Sequence, residues 1–314
     1  MKLFHSLLYP LLGGLFCLSC SDDEQDTGTK QPTTAGEVTF GVDLTGFSTR
    51  VTQDGSSWND GDKIGTYVLD MKTLEPVTEA ANVPYVCSEE GASVSFTSTT
   101  PLKVQNDGTP VKFVAYYPYN ADVRNFNYPV QLAAQERGST ACDLLYAATK
   151  EEYTYSPENE PHISLNFTHR LAKVILKFVN MEKEPLEVSD VRIEGMQTAA
   201  SFNIQTDVLT VDESSVATIN PYHNATTGFY EAIILPSALT DSYKVSFVLD
   251  DREKEWIFTN LDIALPQFHK GYSYTFALYI DDSGFVEMGR LENVEGGNSS
   301  APWEDGSSED GTAE

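Results

Sequence analysis

The amino-acid sequence predicts an all-β protein built as sandwiches. Several short runs alternate apolar and polar residues, as half-buried strands do because successive side chains leave opposite faces of the pleat. Gly, Pro, Asn and Asp bound these runs, and no long segment keeps the three-and-four apolar spacing of an amphipathic helix. Many short strands at such intervals read as antiparallel sandwiches.

In chain order, the first alternating run is Val38, Phe40, Val42 and Leu44, with Thr39, Gly41 and Asp43 between them. Turn-rich connections follow at Gln53–Ser57 and Asn106–Pro110, where Asp-Gly pairs suit tight reversals. A polar Glu/Pro/Asn stretch from Tyr153 to Pro161 suggests a boundary, beyond which Ile163, Leu165 and Phe167 would open a second strand-rich half. Tyr243, Val245, Phe247 and Leu249 repeat the pattern, then Trp256 and Phe258. The clearest run is Tyr272, Tyr274, Phe276, Leu278 and Ile280, with Ser273, Thr275 and Ala277 facing the other way.

The N-terminal twenty residues, MKLFHSLLYPLLGGLFCLSC, carry one Lys, an apolar stretch from Leu7 to Leu18 and a small residue before Cys20. This is the layout of a signal peptide, and the stretch is shorter than the roughly 20 residues a membrane span needs. Leu18-Ser19-Cys20 resembles the lipobox of bacterial lipoproteins, which implies lipidation of Cys20 and a mature chain starting there. Acyl chains contribute about 0.8 kcal/mol per buried methylene, so several of them anchor a protein firmly. The acidic run Ser21–Asp26 and the Thr/Gly/Pro-rich residues to Gly36 lack apolar periodicity and read as a tether. The expected organisation is a signal peptide at 1–19, an acidic flexible tether at 20–36, β-sandwiches at 37–160 and 161–290, and an acidic disordered tail at 291–314.

The formal net charge of −27 disfavours nucleic acid and anionic headgroups as partners, since like charges repel. After export, Cys87 and Cys142 lie in an oxidising compartment that permits a disulfide. Either they pair, closing a loop for about 4 kcal/mol on the chain-entropy model, or they remain buried thiols.

Five segments then carry a resemblance: Trp58–Gly65 (WNDGDKIG), Phe113–Tyr119 (FVAYYPY), Asp143–Ala147 (DLLYA), Leu165–Val174 (LNFTHRLAKV) and Lys270–Tyr274 (KGYSY). In that order, behind a lipobox, the series resembles the Mfa-like fimbrillin family of Bacteroidota, over roughly residues 38 to 280. The resemblance implies two transthyretin-like β-sandwiches of Greek-key type in tandem, an outer-membrane lipoprotein at the cell surface, and assembly with other subunits into fimbriae by strand exchange. It also implies that a trypsin-like protease removes the first strand by cutting after a basic residue. Arg50 is the expected cleavage site, because it follows the Val38–Leu44 run and precedes the turn at Asp54-Gly55. The C-terminus departs from a donor subunit: Asn293–Glu314 is rich in Gly, Ser and acid, with Trp303 its one large apolar residue. That favours an anchor, tip or accessory role, with Phe285, Val286 and Met288 left to form a short strand.

Each motif also has a plain packing role. Trp58 with Gly61 and Asp62 reads as a turn into the Ile64 strand, the Tyr116–Tyr119 cluster as core and strand-end packing, and His169 as a satisfied core or edge histidine. Nothing points to catalysis or to a cofactor. His162, His169, His223 and His269 lack metal-ligand spacing, and phosphate loops, nucleophile elbows and paired-Cys zinc motifs are missing. Asp54, Asn59, Asp60 and Asp62 depart from the calcium-loop pattern at Trp58. Two classes of function stand: a structural or adhesive fimbrial subunit, and a surface glycan-binding lipoprotein whose aromatic clusters stack on sugars for nutrient capture.

Overall fold

A computed structural model describes residues 35–43, 58–78, 81–91, 93–135, 138–158, 160–181, 187–261, 265–280, 286–292 and 304–305. The N-terminal part contributes β1 (Ala35–Glu37), β2 (Thr39–Asp43), β3 (Lys63–Asp70), β4 (Val83–Cys87), β5 (Ser93–Thr97) and β6 (Lys103–Gln105). It continues with β7 (Val111–Tyr117), β8 (Asn127–Gln131), β9 (Leu145–Ala148), β10 (His162–Ser164) and β11 (Thr168–His169). The C-terminal part holds β12 (Ala172–Asn180), β13 (Val188–Glu194), β14 (Ala199–Asn203), β15 (Val208–Val211), β16 (Tyr222–Asn224), β17 (Phe229–Ile234) and β18 (Ser237–Ala238). Then come β19 (Lys244–Leu249), β20 (Arg252–Ile257), β21 (Gln267–Phe268), β22 (Tyr272–Ile280), β23 (Val286–Glu292) and β24 (Glu304–Asp305). Among the described residues the helical content is one 3-10 turn at Ser139–Cys142, so the protein is all-β, as its period-two patterning predicts.

An eight-stranded sheet in the order β10-β2-β5-β4-β3-β7-β9-β11 forms the N-terminal part. Phe40 on β2 and Phe113 on β7 stand four strand spacings apart in that order, roughly 19 Å if the sheet were flat. Their ring centroids are 5.9 Å apart, so the sheet folds over on itself and encloses a core. Phe40, Val68, Tyr85, Phe96, Phe113, Ala115 and Leu145 belong to that core. The outer face of β3, β7 and β9 is covered as well: Tyr67, Leu69, Val114, Tyr116 and Tyr146 pack with Phe202, Ile233 and Leu235 of the C-terminal part. Coverage of both faces accounts for the unbroken burial of β3 from Ile64 to Leu69.

The C-terminal part is a sandwich of two sheets. One runs β16-β17-β12-β22-β23, with β24 also beside β22; the other is β13-β19-β20. Between them lie Val174, Leu176, Ile193, Val245, Phe247, Trp256, Phe258 and Phe276. The two parts share a sheet, because β8 pairs with β14 in the order β15-β14-β8. Gln135 fastens them further: its Nε2 donates to Leu132 O and Ile233 O, and its Oε1 accepts from Ile233 N at 2.8 Å. Arg170 forks onto Asp207, Nε to Oδ1 at 2.5 Å and Nη2 to Oδ2 at 2.9 Å.

Three expectations need correction. Ile163, Leu165 and Phe167 do not open the C-terminal half; β10 pairs with β2, and all three side chains enter the N-terminal core. Thr275 and Ala277 lie on the opposite face from Tyr274 and Phe276 but are buried like them, so β22 is covered on both faces there rather than half-buried. In the stretch expected to lack structure, Glu304–Asp305 pairs in parallel with Tyr272 and Ser273. Ladder hydrogen bonds come from the backbone and need no apolar side chain.

Candidate functional site: the slot filled by the first strand

Residues 35–43 cross from one sheet to another. β1 pairs antiparallel with β6, Gly36 opposite Val104. One residue later β2 enters the eight-stranded sheet between two neighbours. It runs parallel to β10, with Phe40 beside Ile163, and antiparallel to β5, with Phe40 opposite Phe96. The backbone is tied on both sides: Val38 N donates to Leu102 O, Thr39 N to Pro161 O, and Gly41 O accepts from Leu165 N, each at 2.9 Å.

Alternation puts Val38, Phe40 and Val42 on the inner face, where each is at most 2% exposed. Phe40 meets Tyr85 edge-on at 4.8 Å, a geometry that aromatic quadrupoles favour. The Tyr85 hydroxyl donates to Val38 O at 3.0 Å and accepts from Leu102 N at 2.8 Å, so it holds the crossing point between the sheets. Burial pushes its pKa up to about 12, which keeps it a neutral donor.

Two glycines fit the strand to its walls. A Cβ on Gly36 would stand 2.4 Å from Tyr155 Cε2, and one on Gly41 would stand 2.7 Å from His162 Nε2. Thr39 Oγ1 lies 3.0 Å from His162 Nδ1, and Lys103 pairs with Glu37 at 3.3 Å on the exposed side. Large apolar side chains at 38, 40 and 42, with no side chain at 36 and 41, are what fit the strand to this place. The sequence signalled the apolar positions; Tyr85, Tyr155 and His162 were missed as wall residues, since only folding brings them to the strand.

Cys20 and Arg50 lie outside the described residues. In the structure Cys87 and Cys142 are free thiols. Cys87 sits in the N-terminal core with its Sγ directed to Glu89 O at 2.9 Å, whereas Cys142 packs against the cluster shared with the C-terminal part. Burial raises the pKa of both, which disfavours the reactive thiolate.

The packing roles read from the other motifs hold. Trp58 is fully buried against Phe96, Tyr117 and Phe167. Gly61 takes φ +87° in the turn, and Asp62 Oδ2 accepts from Asn59 N at 2.7 Å. His169 Nδ1 lies 2.8 Å from Asp143 Oδ1, both groups buried. Among the described residues no cluster of three or more His, Cys, Asp or Glu is arranged to hold a metal.

No curated protein matches the chain closely enough to count as a relative. Solved structures do share its fold. A candidate cell adhesion protein from Bacteroides uniformis superposes with a TM-score of 0.65 at 21% identity, covering 83% of this chain and 97% of that one. One from Bacteroides ovatus gives 0.62 at 14% identity with the same coverage, and one from Bacteroides fragilis 0.51 at 14%, covering 84% and 99%. The family model described as Fimbrillin-like matches residues 49–303, most of the chain and all of its strands from β3 to β23, and on that match the protein belongs to the fimbrillin-like family.

Proposed function

We propose that this protein is an adhesive structural subunit of surface fimbriae, exported as a lipoprotein through Cys20 and assembled with other subunits by strand exchange after a cut at Arg50. The observation that carries this reading is the position of β2. It is an inner strand of the eight-stranded sheet and supplies Val38, Phe40 and Val42 to the core. Yet it precedes every other strand of that sheet in sequence, so one cut between β2 and β3 would detach it together with the anchor. Its departure would leave β5 and β10 with unpaired N–H and C=O groups facing each other across an apolar trough, the situation that strand addition resolves. The adhesive part is supported by the candidate cell adhesion proteins that share the fold.

Outer-membrane material treated with trypsin and run on a denaturing gel without boiling tests the reading. The expected result is a ladder of detergent-resistant species whose N-terminal sequence starts at Val51. A monomer that still starts at Cys20 overturns strand exchange and favours the glycan-capturing lipoprotein instead.

A further inference from the structure

On the outer side of β3, away from the strand slot, a cavity of about 450 Å³ is lined by Tyr67, Asn82, Tyr119, Arg124, Asn125 and Phe126 among others. That volume suits a small polar ligand. Three of its residues, Asn82 (φ 53°), Asn125 (φ 50°) and Phe126 (φ 62°), hold left-handed backbone. Such conformations cost about 1–3 kcal/mol each and persist where surrounding structure imposes them. Here it does: Ile204 N donates to Phe126 O at 2.9 Å, and Asn82 is fixed by Tyr116 Oη at 2.7 Å and Asn120 O at 2.9 Å.

The polar groups inside are held but not consumed. Tyr67 is 3% exposed and packs on Phe126 at 4.8 Å, yet its hydroxyl has no hydrogen-bond partner among the described residues. A hydroxyl at a cavity wall with no protein partner is open to donate to, or accept from, a ligand atom. Arg124 Nη1 donates to Ala121 O at 2.6 Å and Val123 O at 2.9 Å. This anchors the guanidinium while Nε and Nη2 stay unbonded among the described residues. Arg124 is the one charged side chain among the described lining residues, in a chain of net charge −27.

We infer that this cavity binds a sugar residue bearing a carboxylate, as the ligand of an adhesive surface. The half-buried rings of Tyr119 and Phe126 offer apolar faces to the C–H face of a pyranose, Asn125 and the Tyr67 hydroxyl meet its hydroxyls, and Arg124 meets the carboxylate. The inference rests on the adhesive part of the proposed function for where the site is displayed, but binding in solution does not require assembly.

Saturation-transfer NMR and calorimetry on the full chain test it, with glucuronic, galacturonic and N-acetylneuraminic acids as probes and glucose and galactose as neutral controls. At least one acid should bind and the neutral sugars should not. Tyr67→Phe should weaken binding about five- to tenfold, the loss of one hydrogen bond of roughly 1 kcal/mol, without moving the melting temperature, since no internal bond is removed. Arg124→Gln should weaken it at least tenfold, and Arg124→Lys, which keeps the charge but loses the fork, should recover part of that. The site is overturned if none of the acids binds, if neutral sugars bind equally, or if both Tyr67→Phe and Arg124→Gln bind as the parent does. A gel ladder alongside absent sugar binding sinks this site alone; sugar binding without a ladder sinks the strand-exchange reading alone.

Discussion

The two cores of this molecule are closed in different ways. The C-terminal core is made from side chains between Ala172 and Ile280 in strands that follow one another closely. The N-terminal core takes Val38, Phe40 and Val42 from around the first strand of its sheet and Ile163, Leu165 and Phe167 from around β10, one of its last. The closing strand of the N-terminal core, β2, is therefore joined to the rest of its sheet by chain on one side only, toward β3, and is otherwise held by packing and ladders, while the C-terminal core is also held by its chain path.

The sharpest way to break this comparison is a pair of truncations, Phe40→Ala and Phe247→Ala. Each should cost about 3–5 kcal/mol, the range for emptying a buried aromatic site. In calorimetry Phe40→Ala should lower the transition of the N-terminal part, and Phe247→Ala that of the C-terminal part. One shared transition lowered equally by both would refute the distinction.

Gln135→Ala comes next. It strips partners from the buried Ile233 N and O and from Leu132 O, at about 1–3 kcal/mol for an unsatisfied group. It should separate the two transitions by several degrees in a thermal scan. Gly36→Ala follows, at about 1–3 kcal/mol for overpacking against Tyr155, read as a lower denaturation midpoint that vanishes once the first strand is cut away.

The smallest effects are electrostatic. Asp70 in the N-terminal part and Asp212 in the C-terminal part are exposed turn carboxylates held below the usual value. For Asp70 the cause is first the backbone N–H of Thr73; for Asp212 it is first the Ser214 hydroxyl. A depressed carboxylate stabilises above its unfolded value, near pH 4, and that contribution is lost as pH falls through the folded one. Asp70→Asn should flatten the acid limb of the first transition only, and Asp212→Asn that of the second, in melting series from pH 5 to 2.

The strands were legible because alternation is local: Val38, Phe40 and Val42, or Val245, Phe247 and Leu249, announce a buried face by themselves. Partnership was not, because it depends on residues far apart in sequence. Nothing near Ile163 indicates that its neighbour is Phe40, so a polar stretch before it read as a boundary. The burial of Thr275 and Ala277 was not legible either, because small and hydroxylated residues line tight inner packing as well as exposed faces. The slot walls at Tyr155 and His162 and the unpaired Tyr67 hydroxyl come from the fold alone.

The mixed flanks of β2, parallel on one side and antiparallel on the other, bear on the direction of any replacement strand. Turning such a strand end for end exchanges its two relationships and leaves the inventory unchanged: one parallel ladder and one antiparallel. Backbone pairing is therefore nearly indifferent to polarity here, and direction must be chosen by shape, through the room for a ring at Phe40 and the tightness against Tyr155 and His162.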